Sequence, residues 1–233
     1  MYIKVPTYDH ESKTWGFREF NTKQDFVDFL WSVFKEPGKY EFDECSLMFN
    51  EQARKFNVDR TYCVFPFRSK DYIEYWDAEK YKCRNGVIYT NNGKTWYLPR
   101  DYYMWLNFLP IYNKEIARFA FADVRDAQYH MALYEEIAKH SSKHVAILKK
   151  RQIASSYYHG GKIINYFWFE EGSISKMAGS LKDYINEKGT WRFLEEYRNF
   201  LNTHTAWYRP CNPDKVLNWE QKIEVNQGGK KRD

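Results

Sequence analysis

The chain has 233 residues and a net charge of only +5, from 36 basic and 31 acidic residues, an excess too small for a dedicated DNA-binding domain. No apolar run approaches the roughly 20 residues that a membrane span needs, and the first ten residues lack the apolar core of a signal peptide. The four cysteines form no CxxC pair, which argues against a zinc cluster and favours free thiols in a reducing cytoplasm.

The first half of the chain, residues 1–115, predicts an α+β region. Apolar side chains at helical spacing predict helices over Gln24–Phe34, which a Pro-Gly pair ends, and over Cys45–Phe56. The segment Gly86–Leu98 predicts a β-hairpin, because an Asn-Asn-Gly turn separates two strand-like runs. The aromatic run Tyr102–Ile111 predicts a buried segment. Aromatic residues, 20% of the chain, more often fill a core than stack on nucleobases.

The second half, residues 116–233, predicts a parallel α/β domain. The apolar run His144–Leu148 is typical of a buried parallel strand. The order strand, loop, helix, strand, helix places the loop Lys149–Ser156 at the end of that strand, where α/β proteins bind ligands. The other predicted elements are helices over Asp126–His140, Ser156–Phe169 and Thr190–His204 and a strand over Ser173–Ala178.

The loop carries the groups that a nucleotide phosphate and Mg²⁺ require. The cations Lys149, Lys150 and Arg151 precede the turn, and Ser155 and Ser156 open the helix. Main-chain N–H groups at a helix N terminus favour an anion, a Lys or Arg would reach the phosphates, and the second serine could ligate the metal. The standard phosphate-loop ending Gly-Lys-Ser/Thr is absent, so an ordinary basic loop is the alternative.

Two stretches resemble motifs of phage terminase large subunits, the ATPases of viral DNA-packaging motors. The loop is similar to the family's deviant phosphate loop, in which a basic residue stands at the start and an Arg-Gln pair often follows, as Arg151-Gln152 does here. Ala154 stands where the family usually has Gly, and Ser156 stands at its hydroxyl position. Val124–Gln128 resembles the adenine-recognising element, because a Gln amide can donate to and accept from an adenine edge at once. Without the loop, this stretch would be an ordinary helix N terminus.

The resemblance extends from about Trp76 to the end of the chain. It looks like the corresponding region of terminases from crAss-like and related large-genome phages. The further matching stretches are Cys83–Tyr89, Tyr97–Pro99, Tyr103–Ile111, Glu170–Ser175 and Asn202–Trp207.

This resemblance implies a partial P-loop NTPase domain that binds ATP and Mg²⁺ in a motor that packages double-stranded DNA. The implied partners are DNA, the portal protein and the small terminase subunit, in the host cytoplasm and transiently at the procapsid portal, with no membrane. The implied ATP-binding residues are Gln128, Lys149, Lys150, Arg151, Gln152, Ala154, Ser155 and Ser156, with Ser156 as the Mg²⁺ ligand.

The family also has an acidic motif on a strand and a C-terminal nuclease domain. Tyr166–Glu171 has the look of the acidic motif but follows the loop too soon for a parallel crossover, so the end of the loop helix is expected there. We therefore expect an N-terminal portion with incomplete catalytic machinery. The alternative is a non-enzymatic, aromatic-rich nucleic-acid-binding module whose basic loop contacts backbone phosphate. A nucleophilic serine acting with His159 would lack an elbow glycine pattern and a placed acid.

Overall fold

The computed structural model describes residues 2–113, 117–149, 153–178 and 189–210. Within these residues the chain is a mixed α/β protein with a four-stranded sheet, a two-stranded sheet and seven α-helices. The strands are β1 (Ile3–Asp9), β2 (Thr14–Phe20), β3 (Val87–Asn91), β4 (Lys94–Leu98), β5 (Ile111–Asn113) and β6 (Arg118–Ala120). The helices are α1 (Lys23–Val33), α2 (Glu51–Asp59), α3 (Lys70–Asn85), α4 (Arg100–Phe108), α5 (Asp126–His140), α6 (Ser155–Phe169) and α7 (Thr190–His204).

The larger sheet has the strand order β2-β1-β3-β4 and is mixed, because β1 pairs with β3 in parallel while both hairpins are antiparallel. The predicted hairpin is confirmed as β3 and β4. Its turn residues Asn92 and Gly93 have φ values of 47° and 73°, as a two-residue type I′ turn requires. Gly86, just before β3, has a φ of 74°, and a Cβ there would lie 2.5 Å from the Leu98 carbonyl oxygen, so glycine is required.

Local capping explains where α1 begins. Thr22 and Asp25 form a capping box, each side chain accepting the other's main-chain N–H at 3.0 Å, and α1 covers most of the predicted segment. The single helix predicted over Cys45–Phe56 is instead divided. A 3-10 helix spans Glu44–Met48, Asn50 leaves the helical conformation, and α2 begins only at Glu51.

Helix α4 lies at the centre of the core. Every residue from Asp101 to Phe108 is buried, which confirms the burial predicted from the aromatic run. The helix contacts α2, α3, α5 and α6. The buried apolar cluster draws side chains from both halves of the chain, among them Leu30, Trp105, Leu133 and Tyr197.

A fully buried asparagine joins α4 to α2. The Asn107 Oδ1 accepts the main-chain N–H of Gln52 at 3.0 Å, and its Nδ2 donates to the carbonyl oxygens of Phe49 at 2.8 Å and Tyr103 at 3.0 Å. Asn50, which precedes α2, makes no side-chain cap of its own. Asn107 therefore caps α2 from a neighbouring helix.

The three helices predicted in the second half are confirmed as α5, α6 and α7, but the two predicted strands are wrong. Neither His144–Leu148 nor Ser173–Ala178 forms a strand in the described chain, and Leu148 is fully exposed. A strand needs a neighbour that completes its backbone hydrogen bonds, and every described strand of the larger sheet lies within residues 3–98. The described helices α5 and α6 therefore pack on the first half, through α1 and α4, and not around a parallel sheet of their own.

Replacing Asn107 with Ala should lower the free energy of unfolding by about 2–4 kcal/mol, because buried main-chain groups of Gln52 and Phe49 lose their partners. Urea unfolding followed by circular dichroism measures the change. The matched control is Asn199→Ala on the exposed face of α7, which should cost no more than about 0.5 kcal/mol. Similar losses in the two variants would contradict the capping role.

Candidate functional site

The two segments singled out in the sequence lie side by side. Gln128 is buried in the first turn of α5, and its Nε2 donates to the Ile153 carbonyl oxygen at 3.0 Å, 25 residues further along the chain. Its Oε1 is also buried and has no hydrogen-bond partner among the described residues. The side chain thus fixes the end of the loop with one atom and leaves a buried acceptor with the other.

The end of the loop opens α6 through an unusual backbone conformation. Ala154 precedes the helix with a φ of 55°, in the left-handed region that favours glycine, and it provides no side-chain cap. Ser155 is buried, whereas Ser156 and Lys149 are exposed. The first main-chain N–H groups of α6 therefore have no side-chain cap among the described residues and are suited to an anion.

The remaining loop residues of the predicted site, Lys150, Arg151 and Gln152, lie outside the described residues. The structure thus brings Gln128 to Ile153, beside Ala154 and the two serines.

A partly buried charged cluster joins α5 to α6 just beyond this point, and we call it the α5–α6 seam. The Glu135 carboxylate accepts from His159 Nε2 at 2.8 Å and from Lys162 Nζ at 2.6 Å. Asp101, at the start of α4, lies 3.7 Å from the same Lys162 Nζ. Gln128 of α5 contacts Ile153, and Glu135, which lies further along α5, contacts His159, which lies further along the chain than Ile153. The two helices therefore run in the same direction.

The seam shifts the pKa values of its members in opposite directions. Burial raises the pKa of Glu135, but the hydrogen bond from His159 and the charge of Lys162 outweigh burial and lower it below its ordinary value. Burial likewise lowers the pKa of His159, but the hydrogen bond and charge of Glu135 outweigh burial and raise it. Burial raises the pKa of Asp101 against the opposing charge of Lys162. Glu135 is therefore ionised and His159 tends towards the imidazolium form.

Ser155, His159 and Glu135 are arranged like a nucleophile, a base and an acid, but they do not work as one. The Ser155 Oγ lies 3.1 Å from His159 Nδ1, and the structure supplies the acid that the sequence did not. The same Nδ1 is closer to the Ser155 carbonyl oxygen, at 2.7 Å. An imidazolium that donates to this carbonyl and to Glu135 has no free lone pair to accept the hydroxyl proton. The geometry is that of a structural link.

A groove of about 480 Å³ runs along the exposed side of α6 from its first turn. Its polar lining consists of cationic groups and hydroxyls, with no carboxylate among the described residues that line it. Glu135 and Asp101 lie buried behind these cations and hold two of them in place. The polar lining residues are Ser155, Ser156, His159, Lys162, Tyr166, Ser175, Lys176 and Thr190.

The acidic pair after α6 is not an acidic strand motif. Tyr166–Phe169 belongs to α6, as the helical alternative predicted. Glu170 ends the helix and pairs with Arg100, and Glu171 is exposed.

Sequence reasoning missed Glu135, Lys162 and Asp101. The sequence does contain a signal for the first two. Glu135 lies seven residues after Gln128, and Lys162 lies seven residues after Ser155, so each lies about two helical turns away on the same face of its helix. Nothing in the sequence indicates which of these charges is buried.

No protein-family model matches the chain, and no curated protein or solved structure matches it. Among the described residues, no group of three or more His, Cys, Asp or Glu side chains could hold a metal ion. The described helices include none with the length and apolarity to cross a membrane.

Replacing Glu135 with Gln should lower the pKa of His159, because the carboxylate that stabilises its imidazolium form is lost. The test is an NMR titration of the imidazole signals, assigned with His159→Gln. Because the folded pKa is raised above the ordinary 6.5, the stabilisation is fully present below that pH and is lost as the pH rises through the raised value.

Glu136→Gln is the matched control for this titration. The Glu136 carboxylate lies next to Glu135 in the sequence but contacts His140 Nε2, at 3.0 Å, so its loss should leave the pKa of His159 near the wild-type value. A His159 pKa that is equal in Glu135→Gln and wild type would contradict the seam.

Proposed function

We propose that this chain is the N-terminal part of a phage terminase large subunit and binds ATP with Mg²⁺ at the start of α6. The observation that carries the proposal is the hydrogen bond from Gln128 to Ile153. It joins the two segments that resemble the family's adenine-recognising element and phosphate loop. Such a contact between segments 25 residues apart supports a shared role.

The base would lie against α5. Gln128 Oε1 is a buried acceptor without a described partner, and the exocyclic amine of adenine is a donor that would satisfy it. Guanine carries an acceptor in that position, so it would leave the oxygen unsatisfied at a cost of about 1–3 kcal/mol. This donor pattern favours ATP over GTP.

The phosphates would lie at the α6 N terminus. The uncapped main-chain N–H groups after Ala154 would donate to phosphate oxygens, with Lys149, Lys150 and Arg151 as the neighbouring cations. The exposed Ser156 hydroxyl would ligate Mg²⁺. When bound, the metal neutralises phosphate charge. The left-handed φ of Ala154 accounts for a small residue where the family usually has Gly.

A P-loop NTPase fold for the domain is part of the same proposal. Ile147 and Leu148 are exposed, although burying a side chain of either type stabilises a protein by roughly 1.5–3 kcal/mol. In the assembled motor, neighbouring protein would cover this apolar run beside the loop. The whole motor would act on double-stranded DNA with a portal protein and a small terminase subunit, through ATP hydrolysis.

Replacing Gln128 with Ala should reduce the preference for an ATP analogue over a GTP analogue by roughly three- to tenfold, because one base-reading hydrogen bond is lost. Fluorescence anisotropy of labelled nucleotides with Mg²⁺ gives both dissociation constants. The ratio is the informative quantity, because a loosened loop would weaken both nucleotides alike.

Gln24→Ala, on the exposed face of α1, is the matched control and should leave both constants unchanged. Replacing Lys149, Lys150 and Arg151 together with Ala should weaken both nucleotides strongly, because charge-assisted phosphate contacts are lost. Equal affinity in this triple variant and wild type would count against the site. Salt-dependent DNA binding that this triple variant loses, with no effect of nucleotide, would favour the non-enzymatic alternative, whose basic loop contacts backbone phosphate.

A further inference from the structure

Two further grooves lie away from the α6 N terminus, and Tyr81 lines both of them. The first, of about 460 Å³, receives Lys4 from β1, Arg84 from α3, Arg100 from α4 and Lys139 from α5. The second, of about 440 Å³, lies between β2 and α3. Four elements distant in the sequence thus bring four cations to one groove.

The cations at the rim of the first groove are available to a ligand. Arg84 and Lys139 are exposed, and neither has an ion-pair partner among the described residues. Lys4 lies 3.5 Å from Glu19, but both side chains are about half exposed, so this pair is weak. Arg100 lies deeper and pairs with Glu170.

The carboxylates that line the two grooves are already bound. Glu136 accepts from His140 at 3.0 Å, and burial and that hydrogen bond act in opposite directions on its pKa, which falls to about 2. Glu79 accepts from Lys82 at 2.7 Å and from the Tyr103 hydroxyl at 2.6 Å. The unpaired charge offered to solvent is therefore positive.

Exposed aromatic rings form the wall of the second groove. Trp15 and Phe17 lie on one face of the edge strand β2 and are 46% and 57% exposed. The Phe17 and Tyr81 ring centroids lie 5.8 Å apart, which connects this wall to the first groove. Lys4 lies 4.5 Å from the Phe17 centroid and Lys82 lies 4.0 Å from the Trp15 ring. Exposed rings therefore lie beside the solvent-facing Lys4 on one surface.

We propose that this surface binds single-stranded nucleic acid, and we call it the aromatic–basic face (Lys4, Arg84, Lys139, Trp15, Phe17 and Tyr81). Backbone phosphates lie along the first groove, and unpaired bases stack on the exposed rings. Stacking of this kind needs bases that are not already paired, which favours a single strand over a duplex. An acidic peptide would use the cations but leave the rings exposed to water. The face shares no residue with the proposed nucleotide site.

The test is fluorescence anisotropy of the full 233-residue chain with a labelled oligothymidylate across a salt series. Arg84→Gln combined with Lys139→Gln should weaken binding on the order of tenfold and make the slope of log affinity against log salt shallower by about 1.4, because two phosphate contacts are lost. Phe17→Ala should weaken binding to a similar degree through lost stacking, with little change in the salt slope.

Matched controls lie on the same helix or near it. Lys70→Gln removes one positive charge about 21 Å along α3 from Arg84 and is compared with Arg84→Gln alone, and Phe67→Ala removes a ring that is 72% exposed. Both should bind like wild type. An abasic strand of equal length should bind more weakly than the oligothymidylate, a comparison that needs no variant. Excess ATP with Mg²⁺ should not displace the strand, which separates this face from the nucleotide site.

Four outcomes would overturn the proposal. These are no measurable binding, equal binding of a duplex, equal binding of polyglutamate, and equal binding of the abasic strand.

Discussion

One partly buried ammonium group fixes the arrangement of three helices. Lys162 of α6 reaches Glu135 of α5 and Asp101 of α4, and His159 shares the same Glu135 carboxylate. Charges taken out of water are tolerated only when they are paired, and removing one partner of a buried pair typically costs about 3–5 kcal/mol. An apolar seam would tolerate sliding of α6 along α5, whereas this set of charges is satisfied in only one register. The seam therefore specifies position more than it adds stability.

That register has a consequence at the other end of the helices. With Glu135 opposite His159 and Lys162, the first turn of α5 lies opposite the two residues that precede α6, and Gln128 donates a hydrogen bond to Ile153. The left-handed Ala154 then turns the chain so that α6 begins with uncapped N–H groups beside a groove of cations and hydroxyls. Buried carboxylates behind the groove hold cations at its surface. The proposed anion-binding role follows because the cations line the groove while the carboxylates that pair with them lie buried behind it.

The parts of the fold that local patterns specify were predictable, and the parts that depend on distant partners were not. Helical spacing identified α1, α5 and α7, and the Asn-Asn-Gly turn identified the β3–β4 hairpin. The β1–β2 hairpin was missed although its strands are neighbours in the sequence, because Pro6 interrupts β1 and no glycine turn separates the two strands. The pairing of β1 with β3, about 80 residues away, leaves no local signal, and the apolar run at His144–Leu148 was misassigned because composition does not show whether a neighbouring strand exists. In the site, motif resemblance singled out Gln128 and the loop, and the structure places Gln128 against Ile153. The α5–α6 seam was not predicted, because it depends on the register between two helices.

Photo-crosslinking with 8-azido-ATP and Mg²⁺, followed by peptide mass mapping, tests the central claim most directly. The account predicts covalent label on peptides from the first two turns of α5 or from the segment that ends at Ser156, with protection by excess ATP and much weaker protection by GTP. Label confined to other peptides, or equal protection by ATP and GTP, would contradict a base-reading role for Gln128 and with it the proposed nucleotide site.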